Sequence, residues 1–288
     1  MGATTKPLPT PDAPGPLLPW LLNALSPMNR TRVKQLLKHG SVAVNGEPVT
    51  QHDHALRPGD RVTVYRDGPV PKPAKAIVVV YEDDAILVID KPTGLLSVAN
   101  ETEKDDTAFT RLVARGPSRP WVVHRIDRET SGLLLFAKTR EIRDRLQADW
   151  DAVVKTYLAI VEGTPEHPAG AVDNFLCEGR DLRVRQVSAG PGAKRAITHY
   201  KVLRSRGPYS LLEVRLETGR KHQIRVHLSG LGYPITGDKM YRATTDLADR
   251  LGLHAWRLAF DHPITGVRVE LEAPVPRALK WVLDGGVA

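Results

Sequence analysis

The 288-residue chain contains a single cysteine, Cys177, and no long run of apolar residues. One cysteine cannot form an internal disulfide, which favours a reducing compartment such as the cytoplasm. No stretch approaches the roughly 18 consecutive apolar residues that are typical of a membrane-spanning helix. Because no apolar segment precedes Leu17, the chain does not begin with the pattern of a secretory signal. We therefore expect a cytoplasmic protein that is not inserted in a membrane.

The chain also lacks several familiar catalytic signatures. It has no GxxxxGKS/T phosphate-binding loop and no GxSxG nucleophile elbow, so P-loop hydrolysis and Ser-His-Asp acyl transfer have little support. His222 and His227 are five positions apart, which separates them by about 140° around a helix. Two zinc-binding histidines on a helix are four positions apart. The sequence therefore predicts no metal site.

Positive charge is what the chain has in excess, with 41 lysines and arginines against 33 acidic residues and a formal net charge of +8. A basic protein can simply be solvated by these charges, but nucleic acid is the specific partner that such a balance favours. Cations concentrate in residues 180–195 and in the segment TGRKHQIRVHL, residues 218–228. A long basic loop is well suited to a polyanion.

The N-terminal quarter of the chain divides by composition. Residues 1–16, which are rich in proline and small residues, are expected to form a disordered tail. Residues 17–68 then combine a helix with strand patterns, and Asn45-Gly46 is a strong hairpin signal. The helix is predicted to have an apolar face and a basic face. The apolar face holds Val33, Leu36 and Leu37, and the basic face holds Arg30, Lys34 and Lys38.

The order of helix, glycine, strand, Asn-Gly and Gly-Asp before a strand over residues 17–68 resembles the alpha-L RNA-binding domain, first described in a small-subunit ribosomal protein. This resemblance implies a small α/β domain whose basic helix lies against the RNA backbone. Such contacts position the protein on RNA but do not specify a sequence. The implied phosphate-binding residues are Arg30, Arg32, Lys34 and Lys38. Without the resemblance, these cations would simply form a solvated helix face.

Residues 69–78 are proline-rich and are predicted to be a semi-extended linker. In residues 79–288, strand patterns outnumber helical ones and do not alternate with them as in βαβ units. This pattern predicts an α+β catalytic domain with a mixed, largely antiparallel sheet.

The segment HRIDRETSGLLLFAK, residues 124–138, places one aspartate, Asp127, between Arg125 and Arg128 and just before an apolar run. An aspartate in this position either neutralises its basic neighbours or is held there to react with a substrate. An isolated aspartate is most often structural, so the surrounding pattern must decide between the two roles.

That segment closely resembles the catalytic motif of the pseudouridine synthases that modify large-subunit ribosomal RNA and transfer RNA. Five further segments match this family in the family's order: IDKPTGLL (89–96), KTYLAIVEG (155–163), ETGRKHQIRVHL (217–228), GDKMY (237–241) and LHAWRLAFDHP (253–263). The resemblance covers about residues 80–284, with Ile126 where leucine is commoner in the family. Residues 174–196 follow the family pattern only loosely.

The resemblance implies the pseudouridine synthase fold and isomerisation of uridine to pseudouridine in RNA, with no cofactor and no metal. Asp127 matches the essential carboxylate. Three roles stay open for it: attack on the sugar, attack on the base, and abstraction of a sugar proton. Arg225 matches the arginine that pairs with this carboxylate, and Tyr157 matches the tyrosine beside the base. Arg125 matches an arginine that fills the stack left by the flipped nucleotide.

The expected partner is structured RNA, with ribosomal RNA favoured by the alpha-L domain and transfer RNA as the alternative. No obligate protein partner is evident. Two other functions compete with this interpretation. A catalytically inactive RNA-binding or ribosome-assembly factor on the same fold would have no reason to keep Asp127, Tyr157 and Arg225 together. An RNA hydrolase that used Asp127 with a metal would need metal-ligand spacing, which the sequence lacks.

Overall fold

The computed structural model describes residues 5–65, 77–101, 103–116, 119–247, 250–277 and 279–280. The chain forms two compact units, Met1–Lys75 and Ala76–Ala288. Among the described residues, no helix is long and apolar enough to cross a membrane.

The N-terminal unit is a small antiparallel sheet with two helices. Its elements are β1 (Thr5–Pro7), β2 (Gly15–Pro16), α1 (Leu17–Ala24), α2 (Arg30–Lys38), β3 (Val42–Val44), β4 (Glu47–Pro48), β5 (Ala55–Leu56) and β6 (Val62–Tyr65). The strands of the main sheet lie in the order β1-β6-β3-β4, and β2 pairs with β5. Both helices pack their apolar residues against this sheet in a single core.

Local sequence signals explain α2 and the hairpin that follows it. Asn29 caps the helix, since its side chain accepts a hydrogen bond from the Arg32 amide at 2.9 Å. Val33 and Leu37 are buried, as the apolar spacing predicts. Asn45 and Gly46 both have positive φ angles, 54° and 89°, which the tight turn between two strands requires. The predicted helix and hairpin are therefore confirmed.

The expectation of a disordered tail over residues 1–16 is wrong for residues 5–16. Thr5–Pro7 pairs with Thr63–Tyr65, and Gly15–Pro16 pairs with Ala55–Leu56. Such pairing uses backbone hydrogen bonds, so a segment with few apolar side chains can still join a sheet edge. Residues 1–4 lie outside the described residues. So does most of the predicted linker 69–78, of which only residues 77 and 78 are described.

The C-terminal unit is built on one large sheet. Its strands are β7 (Val78–Glu82), β8 (Ile86–Lys91), β9 (Trp121–Val122), β10 (Ser131–Ala137), β11 (Val154–Glu162), β12 (Ala169–Glu178), β13 (Val184–Val187), β14 (Lys194–Arg206), β15 (Tyr209–Leu216), β16 (Leu253–Asp261) and β17 (Arg268–Glu272). Its helices are α3 (Ala108–Arg115), α4 (Arg140–Ala148) and α5 (Gln223–Gly230), with short 3₁₀ helices at Trp150–Ala152 and Lys239–Tyr241.

The strand order in this sheet is β13-β12-β14-β15-β11-β16-β10-β8-β7, with β17 paired to β16 and β9 paired to β10. All described pairings are antiparallel except that of β10 with β16. The α+β class with a mixed, largely antiparallel sheet is confirmed. Helix α4 packs Ile142 and Leu146 against the apolar run of β10, as its four-residue spacing predicts.

The parallel pair β10–β16 determines which loops come together. Gly132 of β10 lies opposite Ala255 of β16 and has φ +109°. A β-carbon at Gly132 would lie 2.1 Å from the Ala255 carbonyl oxygen, so only glycine fits where these two strands pair. Tyr157 of β11 is paired with the same Ala255. The loop that enters β10 and carries Asp127 therefore reaches the sheet two strands away from Tyr157.

Candidate active site

Asp127 lies in the loop between β9 and β10, and this loop is held by the segment that follows β8. Ser97 Oγ donates to the Ile126 carbonyl at 2.8 Å and accepts from the Ile126 amide at 3.1 Å. The Gly94 amide donates to the Arg128 carbonyl at 2.9 Å. These contacts on both sides of Asp127 restrict its backbone, so its carboxylate is presented from a fixed loop.

Lys91 also stabilises the loop of Asp127, through hydrogen bonds to backbone carbonyls. Its side chain is fully buried, and its ammonium donates to the carbonyls of Pro92, Leu95 and Arg128 at 3.0, 2.6 and 3.1 Å. Burial lowers the pKa of Lys91 to about 7, against the opposing charges of Glu129 and Asp127. The Lys-Pro segment therefore positions the loop of Asp127 and does not itself reach the cavity.

Arg225 of α5 is brought close to Asp127, but its tighter partner is Asp238. The Arg225 Nε and Nη2 atoms donate to the two carboxylate oxygens of Asp238 at 2.7 and 2.8 Å. Its remaining nitrogen, Nη1, lies 3.6 Å from Asp127 Oδ2. That distance is an ion pair rather than a direct hydrogen bond. Asp238 is buried, so it fixes the guanidinium in the orientation that points Nη1 at Asp127.

Electrostatics support a permanently charged Arg225. Burial alone lowers the pKa of its guanidinium, but the hydrogen bonds and charge of Asp238, with a smaller contribution from Asp127, outweigh burial and raise it. The ring of Tyr241 lies 5.0 Å from the guanidinium carbon, a cation–π distance. Asp238, Tyr241 and the carboxylate of Asp127 thus surround one cation.

His222 completes this group at the start of α5. Its Nδ1 lies 2.8 Å from Tyr241 Oη, which also accepts the Val184 amide at 3.2 Å. His222 has φ 54°, a conformation that is uncommon for any residue other than glycine and that occurs often at functional sites. Burial lowers the pKa of His222, although the nearby Asp127 opposes this.

A cavity of about 450 Å³ opens beside these groups and contains Asp127, Tyr157, His222 and Arg225 in its wall. Burial of the Tyr157 phenol raises its pKa, and the charge of Asp127 raises it further. The phenol is therefore a protonated donor at neutral pH. Arg125 also lines the cavity and is exposed. Within the described part of the chain, Arg125 has no hydrogen-bond or ion-pair partner.

The predicted site residues divide between the two units. Asp127, Tyr157, Arg225 and Arg125 share the wall of one cavity, as the motifs imply. Four cations of the N-terminal unit are exposed on α2: Arg30, Arg32, Lys34 and Lys38. The sequence assigned no role to Asp238 and Tyr241. The available signal was their place in the segment GDKMY, which matches the family but carries no obvious chemistry of its own.

Two family models match the chain. One describes the RNA pseudouridylate synthase family and matches residues 85–230, and the other describes the S4 domain and matches residues 21–62. A Bacillus subtilis protein named as an uncharacterized RNA pseudouridine synthase is 38% identical over 89% of each chain. Ribosomal large subunit pseudouridine synthase D of Vibrio cholerae is 36% identical over 86% of this chain and 84% of its own.

A solved structure has a similar fold. The human RNA pseudouridylate synthase domain containing 4 superimposes with a TM-score of 0.60 and 28% identity, covering 72% of this chain and 92% of the human chain.

Proposed function

The chain belongs to the RNA pseudouridylate synthase family, and on that premise we propose that it converts specific uridines of structured RNA to pseudouridine. The observation that carries this proposal is the meeting of Asp127, Arg225 and Tyr157 in one cavity, with the Asp127 carboxylate 3.6 Å from a buried guanidinium. Three residues from distant segments meet there with the chemistry that the reaction needs.

In this isomerisation the bond between the sugar and ring nitrogen 1 breaks, and a bond between the sugar and ring carbon 5 forms. The proton on carbon 5 is lost and nitrogen 1 gains one, so no outside reactant is consumed. We propose that Asp127 is the carboxylate that starts this exchange. Attack on the sugar, attack on the base and abstraction of a sugar proton are all compatible with a carboxylate held in this cavity.

We assign Arg225 and Tyr157 to the support of Asp127 and the base. A guanidinium beside a partly buried carboxylate attracts it electrostatically and fixes its direction. Arg225 can do this because its other two nitrogens donate to Asp238. The protonated phenol of Tyr157 offers a flat ring for stacking and a donor for an oxygen or nitrogen of the base.

Arg125 suits the step that precedes chemistry. The bond to be broken cannot be reached inside a helix, so the target nucleotide must turn out of the stack at a cost of about a few kcal/mol. Arg125 is an exposed cation at the mouth of the cavity. A planar guanidinium can stack between bases, so we propose that Arg125 takes the place of the extruded base.

We propose that residues 17–68 form the alpha-L domain, joined by residues 69–78 to a catalytic domain of residues 79–288. The exposed cations of α2 would contact RNA phosphates; these are Arg30, Arg32, Lys34 and Lys38. Ribosomal RNA is the favoured substrate because relatives from Vibrio cholerae and Zymomonas mobilis are named for the large ribosomal subunit. Transfer RNA is the alternative, and the cytoplasm is the proposed location.

The test uses large-subunit ribosomal RNA and transfer RNA transcribed in vitro, each incubated with the purified chain and a metal chelator. We expect pseudouridine at discrete positions, detected by chemical mapping. An RNA-binding or assembly factor without activity would retain the RNA and leave every uridine unchanged. A metal-dependent hydrolase would cut the RNA only when the chelator is omitted. If neither ribosomal nor transfer RNA acquires pseudouridine, the proposal is wrong.

A further inference from the structure

A second cavity, of about 340 Å³, adjoins the first across the loop of Asp127. The two cavities share six wall residues, namely Arg125, Ile126, Asp127, Lys221, His222 and Arg225. The rest of the second cavity's wall comes from Leu96, Ser97, Val98, Asn100, Arg128, Glu129, Leu182 and Met240. Its volume lies at the lower end of the roughly 300–1,000 Å³ that ligand sites occupy. It is therefore an extension of the active site on the side of the Asp127 loop away from Tyr157, which lines only the first cavity.

Leu182 is placed at this cavity by a rigid turn. This turn joins β12 to β13. The Leu182 side chain is among the most exposed of the large apolar side chains, at 67%. Leu182 has φ 60°, a left-handed conformation that glycine or asparagine adopts more easily. Such a conformation persists only where the surrounding contacts hold it.

The turn that carries Leu182 is braced on both sides. The Leu182 amide donates to the Gly179 carbonyl at 3.0 Å, and the Nη1 and Nη2 atoms of Arg185 donate to the Asp181 carboxylate. Lys221, which precedes α5, donates to the Leu182 carbonyl at 3.3 Å. These contacts hold the leucine at a constant position relative to the helix that carries Arg225.

Met240 faces the same cavity from the 3₁₀ helix Lys239–Tyr241 and is 42% exposed. Its neighbour Tyr241 packs against Arg225, so Met240 is also fixed relative to the active site. The cavity thus combines two exposed apolar side chains with four cations, Arg125, Arg128, Lys221 and Arg225, which outnumber the two carboxylates of its wall, Asp127 and Glu129. A nucleotide has the matching chemistry, an apolar base face and a phosphate.

We propose that this second cavity binds the nucleotide next to the target uridine in the RNA strand, with its base against Leu182 and Met240. The proposal rests on the proposed function, because it places the target uridine in the first cavity. Adjacent nucleotides are joined by one phosphate, and Arg125 lies on the boundary that the two cavities share. The neighbouring base would then contribute to the choice of uridine, through contacts that the chemistry does not need.

The experiment measures kcat and KM for Leu182→Asn on a short stem-loop cut from ribosomal RNA around a uridine that the unaltered enzyme modifies. Asparagine tolerates the left-handed conformation, so the turn is kept while the apolar contact is lost. We expect KM to rise about ten-fold, the value of a partly buried leucine side chain, with kcat unchanged. Met240→Ala should act in the same direction. The control Leu203→Asn alters an exposed leucine of β14 outside both cavities and should change neither constant.

A second arm uses stem-loops that lack the base on one side of the target or on the other. On one of these RNAs the KM of the unaltered enzyme should rise by the same factor. On that RNA, Leu182→Asn should then raise KM no further. If Leu182→Asn behaves as the unaltered enzyme on the intact RNA, the second cavity does not bind a base. The same holds if its defect persists in full on both abasic RNAs. Failure of the unaltered enzyme to form pseudouridine would instead overturn the proposed function.

Discussion

Replacing Asp238 by asparagine should disable the enzyme without touching any group that meets the substrate. The buried carboxylate binds Arg225 through two short hydrogen bonds, and an asparagine of the same size can accept only one of them. Removing one partner of a buried ion pair costs about 3 kcal/mol or more. For a unit of this size that lowers the melting temperature by about 6–12 °C.

The larger effect should be on turnover. In the unaltered protein the guanidinium of Arg225 lies 3.6 Å from Asp127. With one of its hydrogen bonds to residue 238 lost, it can shift toward or away from that carboxylate. A displacement of about 1 Å in a catalytic group can cost about 100-fold in rate. We therefore expect kcat for pseudouridine formation to fall about 100-fold at a temperature where the variant is folded, with RNA affinity little changed.

The matched control is Glu272→Gln, which breaks the exposed ion pair with Arg257 on β17 and β16. Exposed pairs contribute about 0–1 kcal/mol, so neither melting nor turnover should move appreciably. A further arm combines Asp238→Asn with Arg225→Met. The single variant Arg225→Met should also lower turnover strongly. If Asp238 acts only through Arg225, the double variant should be no slower than Arg225→Met. Unchanged kcat in Asp238→Asn, or full additivity in the double variant, would refute the reasoning.

Three further predictions concern RNA docking, the sheet and pH. Changing Arg30, Arg32, Lys34 and Lys38 to glutamine in the full chain should lower the slope of log affinity against log salt by about 0.7–0.9 per lost phosphate contact, with kcat at saturating RNA retained; an unchanged slope would reduce α2 to a solvated face. Gly132→Ala should cost at least about 2 kcal/mol in urea unfolding, since its β-carbon would meet the Ala255 carbonyl; stability equal to that of the unaltered chain would contradict the strand crossing. Burial lowers the pKa of His227 and His254 to about 4, so the stability that their neutral forms contribute should be complete above the unfolded pKa of 6.5. It should be lost as pH falls toward 4, by up to about 1.4 kcal/mol per pH unit for each histidine. A free energy of unfolding that stays constant between pH 7 and 5 would contradict this prediction.

Sequence reasoning succeeded where a signal is local. The cap, apolar spacing and glycine around α2 lie within a dozen residues, and Asn45-Gly46 specifies its turn by backbone conformation alone. Asp127, Tyr157 and Arg225 could be selected because family segments carry them, and the fold brings them to one cavity. Their individual roles in catalysis stay predictions.

Long-range geometry was not predictable in the same way. Nothing in the sequence indicates that β10 and β16 are parallel neighbours, although their crossing brings Asp127 near Tyr157. The two hydrogen bonds between Asp238 and Arg225 join residues 13 positions apart. They depend on tertiary structure and not on a local sequence pattern. Likewise, the strands of residues 5–16 depend on backbone pairing with distant partners, which composition does not report.

The most direct test of the account is single-turnover pseudouridine formation by Asp127→Asn on ribosomal RNA that the unaltered enzyme modifies. Asparagine keeps the size of the side chain and removes its charge and nucleophilicity, so the cavity and the RNA-binding surfaces are left in place. We predict RNA affinity and melting temperature close to those of the unaltered enzyme, and no detectable pseudouridine. Measurable turnover by a preparation free of unaltered enzyme would contradict the assignment of Asp127 as the carboxylate on which the reaction depends.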